Sequence, residues 1–204
     1  MKTSEKPILF STEMVKAILN GKKTQTRRII RPHIKNRKIK NISWGKFPGS
    51  KGENWIVNYE NDITNYFGYT KCPYGEIGDI LWVRETWAQL KKETGIRFAY
   101  KASDKYPFGE KYIVKFKWRP SIHMPRVAAR LFLKVKSIKV ERLQDISEED
   151  VLAEGIEKSI FPYQPMKPLF KKLWNSIKAK SGFEWDVNPW VWVVEFDRME
   201  TQGG

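Results

Sequence analysis

The chain has 204 residues, enough for one domain with a large core, and carries 38 Lys and Arg against 23 Asp and Glu, a formal net charge of +15. Aromatic residues make up 14% of it, with nine Trp, which excludes a disordered basic tail because such a chain can bury a core. The charge favours polyanionic partners, nucleic acid first, against the plainer reading of a basic solubilising surface.

The single cysteine, Cys72, rules out an internal disulfide and fits a reducing cytoplasm. There is no apolar run of bilayer length and no signal peptide, so a cytoplasmic protein without membrane contact is expected. His33, His123 and Cys72 lie far apart without metal-type spacing, so neither a metal nor another cofactor is expected.

Pro7-Ile8-Leu9-Phe10 reads as a first strand. Ser11 or Thr12 can cap a following helix, whose Met14, Val15, Ile18 and Leu19 form an apolar stripe at helical spacing, a core-packing face. Gly21 is suited to stop that helix in the left-handed conformation. The next residues, Lys22-Lys23-Thr24-Gln25-Thr26-Arg27-Arg28, read as a strand. Thr24, Thr26 and Arg28 would share one face and Lys23, Gln25 and Arg27 the other. A helix end thus delivers a row of cations and hydroxyls to a sheet edge or cleft, a candidate anion or nucleotide contact. Gly21-Lys22-Lys23-Thr24 is not a phosphate-binding P-loop. Lys16 stands where that motif needs its first glycine, and the order is helix, glycine, strand. Arg31-Pro32 ends the strand.

Residues 33 to about 76 are rich in Lys, Asn, Gly and Tyr. Lys35, Arg37, Lys38 and Lys40 form a basic run, and Trp44, Trp55, Tyr59, Tyr66, Phe67 and Tyr69 are interleaved with Gly and Asn. Short strands are expected at 55–59 and 66–70, in an insertion at about 33–70 that forms a hairpin or flap. Most of these aromatics are assigned to a small satellite core and some of the lysines to phosphate contact.

Cys72-Pro73-Tyr74-Gly75 and Gly78-Asp79 are turns. Residues 80–87 form a strand, apolar on both faces and therefore central. Its Arg84 and Glu85 need partners, either as a structural ion pair or with Arg84 on a substrate. A strand at 96–102, a loop rich in Lys, Tyr and Gly, and an extended segment at 121–124 between Pro120 and Pro125 follow. A long strand covers 129–142, with a bulge at Ser137-Ile138 where its alternation shifts phase. Ser147 with Asp150 three residues on approximates a capping box, with Ile146 and Val151 as its staple, for a helix that Gly155 stops. Glu154 sits in that last turn, disfavoured by the helix dipole, and is either exposed or held by a cation. Residues 157–167 read as a loop. Pro168 opens a last helix with Leu169, Phe170, Leu173, Trp174 and Ile177 on its core face, and residues 190–196 close the domain as a buried strand.

These blocks resemble the ASCH domain family of the PUA-like superfamily, and the longer phage and prophage members in particular. The resemblance rests on residues 18–28 with their Gly-Lys-Lys-Thr-x-Thr-Arg core, Gly78-Asp79 before a strand, residues 143–155, and the strand at 191–196. Cys72-Pro73-Tyr74-Gly75 and Trp82-Val83-Arg84-Glu85-Thr86-Trp87 are like those of the longer members. Residues 1–204 are expected to form one domain. Strands outnumber helices, so its class is α+β, mostly β. The resemblance implies a small PUA-like β-barrel flanked by two or three helices.

For function, the resemblance implies RNA or nucleotide binding in a basic cleft beside the Gly-Lys-Lys-Thr-x-Thr segment. Lys22, Thr24, Arg27, Arg28, Trp82, Arg84 and Glu85 are the binding candidates. A small bacterial member is an amidohydrolase that deacetylates acetylated cytidine, and another member is similar to a ribonuclease. Carried over by position, the amidohydrolase set gives Lys23, Thr26 and Glu154 as catalytic candidates. A desolvated lysine near a carboxylate can act as a base, and Thr26 would be the nucleophile or would orient water. A basic face that binds a protein partner is the blander alternative. The oligomeric state is left open.

Overall fold

The computed structural model describes residues 3–32, 37–46, 53–60, 67–92, 95–103, 116–157 and 165–200. At its centre is β10 (Trp190–Arg198), where Val191, Trp192, Val193 and Val194 are all buried. Side chains on a strand alternate between faces, so four buried residues in a row require cover on both sides. Val191 and Val193 pack with Leu143, Ile146, Val151, Phe170 and Trp174, whereas Trp192, Val194 and Phe196 pack in the larger core with Ile8, Leu81 and Leu133.

β10 pairs antiparallel with β9 (Phe132–Arg142) on one side and with β2 (Gln25–Ile29) on the other. β6 (Ile80–Arg84) is antiparallel to β9, and β1 (Glu5–Leu9) is parallel to β6, giving the order β1-β6-β9-β10-β2. The class is α+β, mostly β, as the sequence implies, but the sheet is not closed into a barrel. Its edges β1 and β2 do not pair. They are joined by α1 (Thr12–Leu19), whose buried Val15 and Ile18 lie in the same core as Ile8 and fill the space that closure would take. In β9 the register steps from Ser137 to Val135 opposite Glu195 and Phe196. Lys136 is therefore the extra residue, next to the expected bulge.

The 33–70 stretch contributes more than a hairpin. β3 (Ile39–Lys46), β4 (Glu53–Tyr59) and β5 (Phe67–Thr70) form a three-stranded antiparallel sheet. Ile39, Val57 and Tyr59 join the main core, and the Trp55 ring stands edge-on to Trp192 at 5.5 Å. Trp44 and Tyr69 are exposed, as are Lys38 and Lys40. Lys35 and Tyr66 lie outside the described residues, as do 104–115 of the Lys-, Tyr- and Gly-rich loop and 158–164 of the later one.

The single strand expected at 80–87 is broken. β6 ends at Arg84, and β7 (Trp87–Lys92) starts a separate hairpin with β8 (Gly95–Tyr100). Between them Glu85 turns inward to Arg130, with both carboxylate oxygens bonded at 2.9 and 3.0 Å. The segment expected to be extended at 121–124 is a 3-10 turn, Ser121–His123, which buries Met124 against Trp87 and Ala128. α2 (Glu148–Ala153) is capped by the Ser147 hydroxyl, which accepts from the Asp150 amide at 3.0 Å. α3 (Lys167–Lys178) buries Phe170 and Trp174 and leaves Ile177 exposed. Among the described residues no helix is long and apolar enough to cross a membrane.

Candidate functional site

α1 ends where expected. Gly21 takes φ +70°, and the Lys22 and Lys23 amides both return to the Ala17 carbonyl at 2.8 and 3.1 Å. This turn aims Lys23 at the end of α2. The two segments pair through an isolated antiparallel bridge, Lys23 with Glu154, and the Thr24 amide donates to the Ala153 carbonyl at 2.9 Å.

The Lys23 ammonium is completely buried. It donates to Glu154 Oε2 at 2.6 Å and to the Glu154 carbonyl at 2.9 Å. Of the alternatives for Glu154, an exposed carboxylate or one held by a cation, the second obtains. Burial lowers the Lys23 pKa below that of an ordinary lysine, against the opposing pull of Glu154. Four residues on, Arg27 is buried and fully engaged. It donates to Glu141 Oε1 at 2.9 and 2.6 Å, Asp150 Oδ2 at 2.7 Å, Gln25 Oε1 at 2.7 Å and Glu154 Oε1 at 3.3 Å. Lys23, Gln25 and Arg27 thus share the face that strand alternation assigns them, turned towards the acidic residues of α2 and β9.

Thr26 and Arg28 take the other face. They line a cavity of about 340 Å³, at the lower end of the range for small-molecule sites. Its walls include Phe10, Phe170 and Trp174, hydroxyls come from Ser11, Thr86 and Ser121 as well as Thr26, and Glu154 and Arg27 also reach it. The Phe10 ring stands between two of the cations, 5.7 Å from Lys23 Nζ and 5.0 Å from the Arg28 guanidinium. The arrangement offers a pocket with aromatic walls, four hydroxyl donors and one carboxylate fixed by two cations. Lys23 is not among its lining residues, so it acts on the pocket through Glu154.

The structure thus brings Lys23, Thr26, Glu154, Arg27 and Arg28 together and places the other candidates elsewhere. Lys22 is on the surface and bonds Glu157 at 2.7 Å. Thr24 supplies backbone bonds to Ala153 and Phe196. Trp82 stacks against Arg84, whose guanidinium donates to the Ile122 carbonyl. Glu85 and Arg84 are not partners: Glu85 belongs to Arg130, which also bonds Ser103 at 2.6 Å and covers the Tyr100 ring. None of these lines the pocket, although Thr86, next in sequence, does. Sequence reasoning missed Phe10, Phe170, Trp174 and Lys178 as pocket residues, because apolar stripes signal burial and do not say what they border. It missed the roles of Glu141 and Asp150 because nothing local connects them with Arg27.

A wider groove of about 660 Å³ lies between the three-stranded sheet and the turn at 72–77, lined by Trp44 and Trp55, with Lys6 and Lys71 against Glu53 and Glu76. Its charges balance, and none of the buried charged residues reaches it. Among the described residues no group of three His, Cys, Asp or Glu is placed to hold a metal ion. Comparison of the chain with protein-family models, with curated proteins and with solved structures finds no match.

Proposed function

We propose that the protein recognises a nucleoside unit of RNA, or a free nucleotide, in the pocket beside the Gly-Lys-Lys-Thr-x-Thr segment, as an ASCH-type domain would. The observation that carries this reading is the pocket itself. An aromatic-walled space of nucleoside size is ringed by hydroxyls and backed by the buried Lys23–Glu154 pair. Aromatic faces suit bases of any sequence, and hydroxyls and a fixed carboxylate suit their polar edges. The net charge of +15 supports attraction of the polyanion from a distance. The open sheet is a departure from the PUA-like barrel and leaves the pocket as the stronger support. The test is equilibrium binding of single-stranded RNA over a salt series. Affinity should fall steeply as salt rises, by about 0.7 log units per log unit of salt for each phosphate neutralised. Affinity that is flat across the series would remove the electrostatic half of the reading.

A second reading, hydrolysis of an amide on a modified base such as acetylated cytidine, is favoured by one specific contact, Lys23 Nζ at 2.6 Å from Glu154. Water would add to the acetyl carbonyl and give its proton to Glu154, or Thr26 Oγ would do so first, leaving an acetyl ester on Thr26 that a water then hydrolyses with Glu154 again taking the proton. The exocyclic amine would leave with a proton, and acetate would be the other product. Lys23 would position Glu154 and tune its basicity. The measurement is release of cytidine from acetylated cytidine by wild type, Thr26→Val and Glu154→Gln. Turnover in wild type lost in both variants supports hydrolysis. No turnover in any of them leaves recognition alone, and ribonuclease activity is tested by the same variants on single-stranded RNA.

A further inference from the structure

In the ionic cluster behind the pocket both cations are engaged. Lys23 and Arg27 engage Glu141, Asp150 and Glu154. Arg28, on the opposite face of β2, has no such partner. Among the described residues no carboxylate lies within ion-pair distance of it; its Nη2 donates to the Leu9 carbonyl at 2.6 Å, and its Nε is shut off from solvent without an acceptor. The guanidinium is flanked by the rings of Phe10 at 5.0 Å and Tyr74 at 5.8 Å. Desolvation lowers its pKa, and Tyr74 and then Glu154 offset this in part, Glu154 from beyond ion-pair distance.

Lys178, in the last turn of α3, lines the same cavity and is likewise without an ion pair among the described residues. Arg28 and Lys178 thus face the same cavity, and the Lys178 pKa is lowered first by burial and then by the positive charges of Arg28 and Arg31. Like charges brought together at a partly desolvated position are costly unless an anion joins them. The hydroxyls of Ser11 and Ser121, also on the cavity wall, are further donors for such an anion.

We propose that Arg28 and Lys178 form a phosphate subsite, so that the pocket takes a nucleotide bearing a phosphate, as a monoester or as a diester within RNA, and discriminates against the bare nucleoside. This rests on the nucleoside reading of the pocket for the rest of the ligand. The Arg28 guanidinium brings an unneutralised positive charge to the cavity wall, and the Lys178 ammonium adds a second one.

The experiment is calorimetric binding of the four ribonucleosides, their 5′-monophosphates, inorganic phosphate and a short single-stranded RNA to wild type, Arg28→Gln and Lys178→Gln. Wild type should bind a monophosphate about tenfold or more tighter than its nucleoside, the gain expected of charge-assisted hydrogen bonds. Both substitutions should weaken monophosphate binding more than nucleoside binding and so remove that advantage. Lys178 is partly exposed, so its variant keeps the test alive if Arg28→Gln does not fold. RNA that binds with the same dependence on Lys178 identifies the diester as the natural source. RNA that fails to compete with a monophosphate identifies the free nucleotide, and either result supports the subsite. Equal affinity for nucleoside and monophosphate overturns the subsite and leaves the pocket reading standing. An advantage that survives both substitutions overturns the assignment to these residues. No binding of nucleoside, monophosphate or RNA overturns both readings.

Discussion

Gly155 brings the end of α2 so close to Lys23 that a Cβ at position 155 would lie 2.9 Å from the Lys23 Cβ and 2.9 Å from the Ala17 Cβ. Its φ of +87° is also one that residues with a side chain rarely adopt. Gly155→Ala is therefore expected to destabilise the fold by about 3 kcal/mol, from overpacking and backbone strain together. Because the clash falls on Lys23, ligand binding should weaken as well. Urea unfolding of the two proteins checks the first effect, and a midpoint unchanged from wild type would show that α2 and the β2 entrance can part at little cost.

The Lys23–Glu154 pair should behave as a unit. Lys23→Met leaves a buried carboxylate with Arg27 alone and removes the donor to the Glu154 carbonyl, at an expected cost of about 3–5 kcal/mol. The double variant Lys23→Met/Glu154→Gln should be milder than the sum of its singles, with a coupling above about 1 kcal/mol in a double-mutant cycle. Additive losses would mean that the two groups do not sense one another. The same cost makes alanine at position 23 a poor probe of chemistry, since lost activity and lost fold would coincide. Thr26→Val, of nearly equal shape, is the cleaner one.

Asp150 links the site to acid stability. Burial opposes its ionisation, but the Gln25 amide, the Arg27 guanidinium and Lys139 outweigh that and hold its pKa below the ordinary 3.8. A carboxyl lowered in the folded state binds its proton more readily when unfolded. Its stabilisation is thus fully present above pH 3.8 and is lost as pH falls through the lower folded value. Asp150→Asn should be less stable than wild type at neutral pH and should lose less on acidification below pH 3.8. Chemical denaturation at a series of acid pH values distinguishes this from a parallel decline, which would exclude Asp150 as a source of acid sensitivity.

Cys72 should be inert in the native protein. It is buried, and desolvation pushes its thiol up to about 11. Since the thiolate is the reacting species, alkylation near neutral pH should follow unfolding of the segment. Labelling with iodoacetamide at graded urea should track the unfolding curve. Rapid modification without denaturant would show that the turn at 72–75 opens on its own.

Much of this architecture is legible in the residues, for identifiable reasons. The helix stops at Gly21 and Gly155, the Ser147 cap and the strand carrying Val191 to Val194 each follow from a local rule, and each is found. The shared face of Lys23, just before β2, and of Gln25 and Arg27 within it follows from a period of two. β3 is not legible, because only Ile39 in it is buried and its other side chains give no alternation. The end of β6 is hidden for the opposite reason. Residues 80–87 are apolar on both faces at their start and alternate in burial throughout, and the residue at the break, Glu85, is held by Arg130, 45 residues away. The same limit governs the site. Lys23 and Glu154 can each be nominated locally, whereas the fork of Arg27 over Glu141 and Asp150, and the lack of any such partner for Arg28 among the described residues, are properties of the assembled sheet.

β10 gives no residue to the pocket, whose lining ends at Lys178, yet it is the strand to which β2 is paired. A protein cut between 178 and 190 would retain every lining side chain and lose the backbone that holds Thr26, Arg27 and Arg28 in register. The consecutive residues of β2 therefore do not carry the site by themselves as a peptide. Their placement depends on β10 lying between β9 and β2, so an intact site reports an intact sheet.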